Sequence, residues 1–408
     1  MLQNWSPVLT LRERIEKELL GNILPFWLRY SIDHERGGFY GQIANDLTIN
    51  PLANKGLILN ARILWTFSRA HKVYGDEPCL RTAQRAYDYL LQNFWDRDFG
   101  GVYWMVDCNG KPVETKKRIY GQAFTLYAMA EYASLSSDEG ALQQAIALHR
   151  LIEQASHDSA HCGYFETYER DWTMAAEQRL SEVDMDEKKS MNTHLHMLEA
   201  YANLLRRWDD PLLRARLSEL LQIFLGRIID RNTHHLRMFF DEHWHDRSNR
   251  VSFGHDIEGS WLICEAAEVL NDLGMLEEAK NEAVEMAHAV CEQALDSDGG
   301  VLYESSGNEI VDSDKHWWPQ AEAVVGFLNA YELSGRDYFL KATERTWSFI
   351  ENCIVDHQFG EWYSKISRDG IPSNDKPKVD AWKCPYHNSR CCFELMERLD
   401  RLAKQTRA

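Results

Sequence analysis

No stretch of this chain approaches the roughly 18 consecutive apolar residues that a membrane-spanning helix needs. The opening MLQNWSPVLTLRERIEKELL also lacks the basic start and apolar centre of a secretory leader. The expectation is a cytoplasmic protein with no membrane partner. Paired cysteines are missing too: nine are scattered through the chain, an odd number, with Cys391 and Cys392 adjacent. That fits reduced structural thiols, not a disulfide framework, and the lack of any CxxC pair removes the usual zinc signature. Positive charge is scarce, with 45 Lys and Arg against 63 Asp and Glu for a formal charge of −18. Such a surface argues against nucleic acid or an anionic membrane as partner and favours a neutral small molecule. Disorder is excluded, because 44% hydrophobic residues in 408 are ample for a large core.

What the chain does have is a degenerate repeat. Asp33-His34-Glu35-Arg36-Gly37-Gly38-Phe39-Tyr40 reads as a turn feeding a short strand, and the same punctuation returns at Asp96–Trp104, His157–Glu166, Asp230–Phe239, Asp296–Glu304 and Asp356–Tyr363. Six copies at a spacing of roughly 60 to 75 residues leave room in each for a helical hairpin. After each copy comes a strongly apolar helix, with starts placed near Leu57, Gln122, Thr193, Asp256, Pro319 and Asn388. A more amphipathic helix follows, such as Pro78–Asn93 or Tyr338–Glu351. A hairpin of this kind cannot bury its apolar face alone. Six of them closed into a ring give an all-α toroid over residues 1–408, with six apolar helices inside, six amphipathic ones outside, and short β-hairpins and loops at one end. Every inner helix then starts at the same end of the barrel.

Chemistry collects at those starts. They carry Asn60 and Arg62; Tyr120 and Gln122; Asn192, His194 and His196; His255 and Glu258; Trp317, Trp318, Gln320 and Glu322; and Trp382, Tyr386 and His387. In Gly254-His255-Asp256-Ile257-Glu258-Gly259-Ser260-Trp261 the imidazole and carboxylate are three apart on one helical face, where Glu258 is expected to orient His255 and keep it titrating near neutral pH. Histidines, an arginine and several aromatic rings around one mouth suit a carbohydrate, because rings stack on pyranose faces while amides and arginine bond hydroxyls.

The segments GLILNARILWTFSRA, NTHLHMLEAYANL, FGHDIEGSWL, HWWPQAEAVVGFLNAY and WKCPYHNSRCCFE resemble the acylglucosamine 2-epimerase superfamily, and within it the enzymes that act on disaccharides. The resemblance runs through nearly the whole chain. It implies an (α/α)6 barrel and a cofactor-independent epimerase acting at C2 of the reducing-end sugar of a β-1,4-linked disaccharide. It implies also that His255 and His387 are the acid/base pair and that His194 is a further essential histidine. By the same resemblance Arg62, Tyr120, Asn192, Glu258, Trp317, Trp318 and Trp382 bind or orient the sugar.

Inverting C2 requires ring opening, removal of the proton beside the aldehyde, and its return to the other face of a planar enediolate. Two histidines facing each other across the mouth can each serve one face; the resemblance implies the alternative that one serves both when the intermediate rotates about its C2–C3 bond. Arg62 and His194 are expected to stabilise the enediolate oxygen. The oligosaccharide is the expected partner, and the protein is expected to be a monomer or weak homodimer. Sibling specificities stay open: a mannobiose or N-acylglucosamine 2-epimerase, or an aldose–ketose isomerase. Rival chemistries are a glycoside hydrolase using Asp256, Glu258 or Glu322, a metal site from His234, His235, His243 and His245, and a sugar-binding protein without turnover. The charged segment Arg179 to Ser190 is expected to be a solvated connection, the alternative being a mobile lid.

Overall fold

The computed structural model describes residues 6–135 and 139–405; residues 1–5, 136–138 and 406–408 of the expected 1–408 domain lie outside the described residues. In chain order the helices are α1 (Ser6–Glu18) and α2 (Leu24–Tyr30), joined by a π turn, then α3 (Leu57–Tyr74), α4 (Glu77–Tyr89), α5 (Ile119–Tyr132), α6 (Gly140–Ser156) and α7 (Met191–Leu205). After them come α8 (Pro211–Ile223), α9 (Phe253–Leu270), α10 (Leu273–Gln293), α11 (Trp317–Ser334), α12 (Asp337–Phe349) and α13 (Tyr386–Gln405). The odd-numbered helices from α3 onward form the inner ring: α3 packs on α5, α5 on α7, α7 on α9, α9 on α11, α11 on α13, and α13 returns to α3. The outer helices pack on them, so the fold is the (α/α)6 barrel. Among the described residues no helix is long and apolar enough to cross a membrane.

Local chemistry sets the two ends apart. At one end the hairpins close tightly: α3, α9 and α11 stop at Gly75, Asn271 and Gly335 in the left-handed region, and the next residue is already the N-cap of an outer helix. At the other end longer connections form antiparallel pairs of two or three residues, such as Lys117–Arg118 with Thr167–Tyr168. Their last residue is extended and the inner helix begins at once, as at Arg118, where φ is −82° and ψ 123°. The inner helices therefore start at Ile119, Met191, Phe253, Trp317 and Tyr386, ahead of the starts placed from apolar periodicity alone. Polar residues fill those first turns, which is why periodicity passed over them.

A buried ion pair ties most repeats together. The lysine two residues before the inner helix reaches back to the aspartate of the preceding turn: Lys55 to Asp33 at 2.8 Å, Lys117 to Asp96 at 2.9 Å, Lys189 to Asp158 at 2.8 Å and Lys315 to Asp298 at 2.5 Å. In the sixth repeat Lys378 holds Asp356, and Lys383 at the repeat position holds Glu361. The fourth has Val251 instead, and there Asp256 is bound by His235 at 2.7 Å. Each aspartate also caps its own turn, Asp33 accepting from the backbone N–H of Glu35 and Arg36. Burial alone would raise the Asp33 carboxyl, but Lys55 and the turn amides hold it below the usual range. The same burial pulls the Lys55 ammonium down, so the pair is worth less than its contact suggests.

Because removing one partner leaves an uncompensated buried charge, Lys55→Met is expected to lower unfolding stability by roughly 3–5 kcal/mol. Urea denaturation checks this, and a loss within about 0.5 kcal/mol, as for an ordinary surface change, would contradict the structural role of the pair.

Candidate active site

The lysine register aligns the six inner helices residue by residue. Seven positions beyond Lys55, Lys117, Lys189, Val251, Lys315 and Lys383 stand Arg62, Phe124, His196, Glu258, Glu322 and Arg390. These side chains meet inside the barrel. The Arg62 guanidinium lies 4.2 Å from the Phe124 ring centre, Phe124 is 4.6 Å from His196, and Arg390 binds both Glu258 and Glu322. Five positions beyond the lysines stand Asn60, Gln122, His194, Asp256, Gln320 and Asn388, which turn instead to the loops. Gln122 both accepts from and donates to the backbone of Val102, Gln320 does the same with Val301, and Asp256 accepts from Leu236 N–H.

His194 belongs to this second set. Its Nδ1 donates to the Ser190 carbonyl at 2.7 Å and its Nε2 accepts from Tyr164 N–H at 2.9 Å, so both ring nitrogens are occupied in a fully buried position. Burial pushes its pKa down to about 3. His194 therefore does not reach the mouth with Arg62, contrary to the sequence expectation; Asn60, Gln122 and Gln320 are likewise structural. The histidine of α7 that does reach it is His196, two residues on and so about 200° round the helix.

The mouth opens as a cavity of about 400 Å³ lined by Arg62, Tyr120, Asn192, His196, His255, Glu258, Trp317, Trp318, Trp382 and His387. Apart from His194, the structure brings together every residue that the resemblance assigns to the site. Its wall also includes the stacked rings of Tyr303 and His316, 3.9 Å apart, and residues 180–184. The segment after Arg179 is thus part of the cavity wall and more than a solvated connection, anchored by Arg118 donating to the carbonyls of Arg179 and Leu180. Within this wall Arg62 Nε, Asn192 Oδ1, Glu258 Oε2, His316 Nε2 and Trp317 Nε1 are buried and have no hydrogen-bond partner among the described residues.

His255 and His387 flank α11 and both pack on Trp318, with ring centres at 4.7 and 5.7 Å. They are separated by one helix of the ring, closer than the across-the-mouth arrangement expected. The Nδ1 of His387 bonds Glu322 at 2.6 Å, and that of His255 bonds the Ser252 hydroxyl at 2.7 Å. His196 Nδ1 bonds Glu199 at 3.1 Å. Each ring thereby leaves Nε2 for the cavity. Burial, then the positive charge of His196 and Arg62, lowers His255 to about 3, and burial beside Arg62 and Arg390 takes His387 well below its usual value. Both rings are neutral near pH 7, and His255 does not titrate there as the sequence suggested. Glu258 does not orient His255 either: one helical step turns it toward Arg390, and burial with the nearby Glu322 charge raises its carboxyl to about 7.

The rival constellations do not assemble. His234 bonds Glu282, His235 bonds Asp256 and Gln293, His243 bonds His161, and His245 bonds Asp241. His243 and His245 lie in a turn around Trp244, whose φ is 69°, so strand alternation does not apply to them. Among the described residues Glu258, Glu322 and His387 alone group closely enough to hold an ion, and Arg390 already lies on both carboxylates. That shared guanidinium also keeps Glu258 and Glu322 from standing as a free acid and base on opposite sides of a bond.

Comparison with known proteins agrees with this geometry. The model of the N-acylglucosamine 2-epimerase (GlcNAc 2-epimerase) family matches residues 38–391. A cellobiose 2-epimerase of Bacteroides fragilis is 44% identical over 95% of this chain and 98% of its own, and one of Dictyoglomus turgidum is 38% identical over 95% and 99%. The solved structure of cellobiose 2-epimerase from Bacillus thermoamylovorans superposes with a TM-score of 0.91 at 38% identity, covering 95% of this chain and 99% of that one.

If His194 is a loop anchor, His194→Gln should fold with stability near wild type, since Gln122 and Gln320 do the same work in their repeats, whereas His194→Ala should lose about 1–3 kcal/mol for the unpaired groups. Thermal and chemical unfolding of the two variants check it; equal losses in both would contradict the assignment.

Proposed function

The chain belongs to the N-acylglucosamine 2-epimerase family and is a sugar isomerase, and from that premise we propose that it is a cellobiose 2-epimerase. It converts the reducing-end glucose of cellobiose to mannose, giving 4-O-β-D-glucosyl-D-mannose, and extends to lactose and mannobiose. One observation carries the reading: His255 and His387 each have Nδ1 anchored in the protein and present Nε2 to one cavity.

Ring opening comes first and moves a proton from O1 to O5, a task suited to His196, whose Nδ1 is held by Glu199. A neutral histidine then takes the C2 proton at Nε2. When His387 does so, the new imidazolium is stabilised through Nδ1 by the Glu322 carboxylate. The enediolate oxygen faces Arg62, which makes no ion pair among the described residues, donates to the Tyr120 hydroxyl at 3.1 Å and keeps Nε unpartnered. Proton return comes from the second histidine, or from the same one after the intermediate rotates. The step needs no metal in this scheme, since the guanidinium of Arg62 supplies the positive charge. Trp382, in edge contact with Trp104 and Tyr120, offers the non-reacting sugar an apolar surface beyond the histidines. The nine free thiols support a cytoplasmic setting.

EDTA-treated protein incubated with cellobiose should yield 4-O-β-glucosyl-mannose. Free glucose would assign a hydrolase, and a ketose as the main product would assign an isomerase of the aldose–ketose type. His255→Asn and His387→Asn should each lower kcat by about 10²–10⁴ with the fold intact, and Arg62→Ala by about 10²–10³. Near-normal turnover of folded His387→Asn contradicts the proposal.

A further inference from the structure

Of the four histidines that line the cavity, His196, His255 and His387 are held through Nδ1, and their partners are not alike. His196 has the Glu199 carboxylate and His387 the Glu322 carboxylate, whereas His255 has only the Ser252 hydroxyl. Among the described residues His255 forms no ion pair, and the ring packed against it is Trp318.

Ser252 stands at the N-cap of α9, the position Ser190 holds at α7 in the repeat register. The two serines are used differently. The hydroxyl of Ser190 accepts from Thr193 N–H at 3.1 Å, the usual N-cap bond. That of Ser252 makes no cap bond and turns to the side chain of His255, which occupies the register position of Thr193. The helix start thus forgoes a local stabilising bond, and the hydroxyl is spent on one imidazole. Ser252 is itself buried, fixed in the pairing of residues 250–252 with 304–306. A hydroxyl held this way restricts the ring to one rotation, and where it accepts from Nδ1–H it leaves Nε2 as the basic nitrogen.

We propose that Ser252 is the positioning residue of His255. By accepting a hydrogen bond from Nδ1–H it turns the Nε2 lone pair to the cavity, and it does so without the counter-charge that carboxylates give the other two rings. The pair of bases is therefore unequal by construction: a proton on His387 is matched by Glu322, and one on His255 is matched by nothing and is passed on. The inference rests on the reading of this cavity as a C2-epimerisation site.

The test separates the two bases. In D2O, deuterium entering C2 of recovered cellobiose and of recovered 4-O-β-glucosyl-mannose is followed by NMR for His255→Asn, where His387 alone can exchange, and for His387→Asn, where His255 alone can. Adding Ser252→Ala should lower exchange roughly tenfold or more in the His387→Asn background and leave it unchanged in the His255→Asn background. With both histidines present, Ser252→Ala should lower kcat with KM little changed, and Ser252→Thr, which keeps the hydroxyl, should restore it and guards against a mere folding defect. Equal loss in both backgrounds, or none where His255 works alone, overturns the proposal; so does exchange in neither background, because the histidines are then not independent bases. Wild-type protein that leaves cellobiose unchanged overturns the functional reading instead.

Discussion

One buried guanidinium holds the reaction end of the barrel together. Arg390, from α13, binds Glu199 of α7, Glu258 of α9 and Glu322 of α11, and also contacts the hydroxyl of Tyr386 on its own helix. Three carboxylates around one cation in a dry interior cannot all be charged cheaply. The structure resolves the excess unevenly. Arg390 and His196 overcome burial and hold Glu199 at about 2, while burial raises Glu322 and takes Glu258 to about 7. Glu199 and Glu322 in turn fix His196 and His387. A single cation therefore sets which rings are anchored, which carboxylate stays most strongly ionised, and how α7, α9, α11 and α13 are spaced.

The lysine–aspartate pairs do a different job at the same end. In four repeats they fix the turn to the strand that precedes an inner helix, so the first turns of those helices present their side chains at a common depth. The one repeat without its lysine is also the one that carries His255. There Asp256 and His235 take over the bracing, and the N-cap serine is left for the His255 ring. Departure from the repeat coincides with a residue of the proposed site, as expected where a site is grafted on a regular scaffold.

Much of this is legible in the chain. The recurring Asp and Gly-Gly turns announce six hairpins, and the helix-start residues converge as expected. The error over His194 was avoidable: His194 and His196 are two apart and cannot face one cavity, and counting from the lysines puts His196 in line with Arg62, Glu258 and Glu322. That lysine register is the signal that apolar periodicity did not use. Other features have no local signature. The stack of Tyr303 on His316, the wall formed by residues 180–184 and the convergence of Glu199, Glu258 and Glu322 on Arg390 depend on closure of the ring, which brings residues from separate repeats within bonding distance.

The account stands on removal of the C2 proton inside this cavity by a neutral imidazole. The most direct measurement is the fate of that hydrogen in wild-type protein turning over cellobiose in D2O. The account predicts 4-O-β-glucosyl-mannose carrying deuterium at C2, exchanged through the histidine that removed the proton. A product that carries only protium at C2 and still forms at a normal rate when His255 and His387 are both asparagine would contradict it, because the inversion would then bypass proton transfer to the histidines.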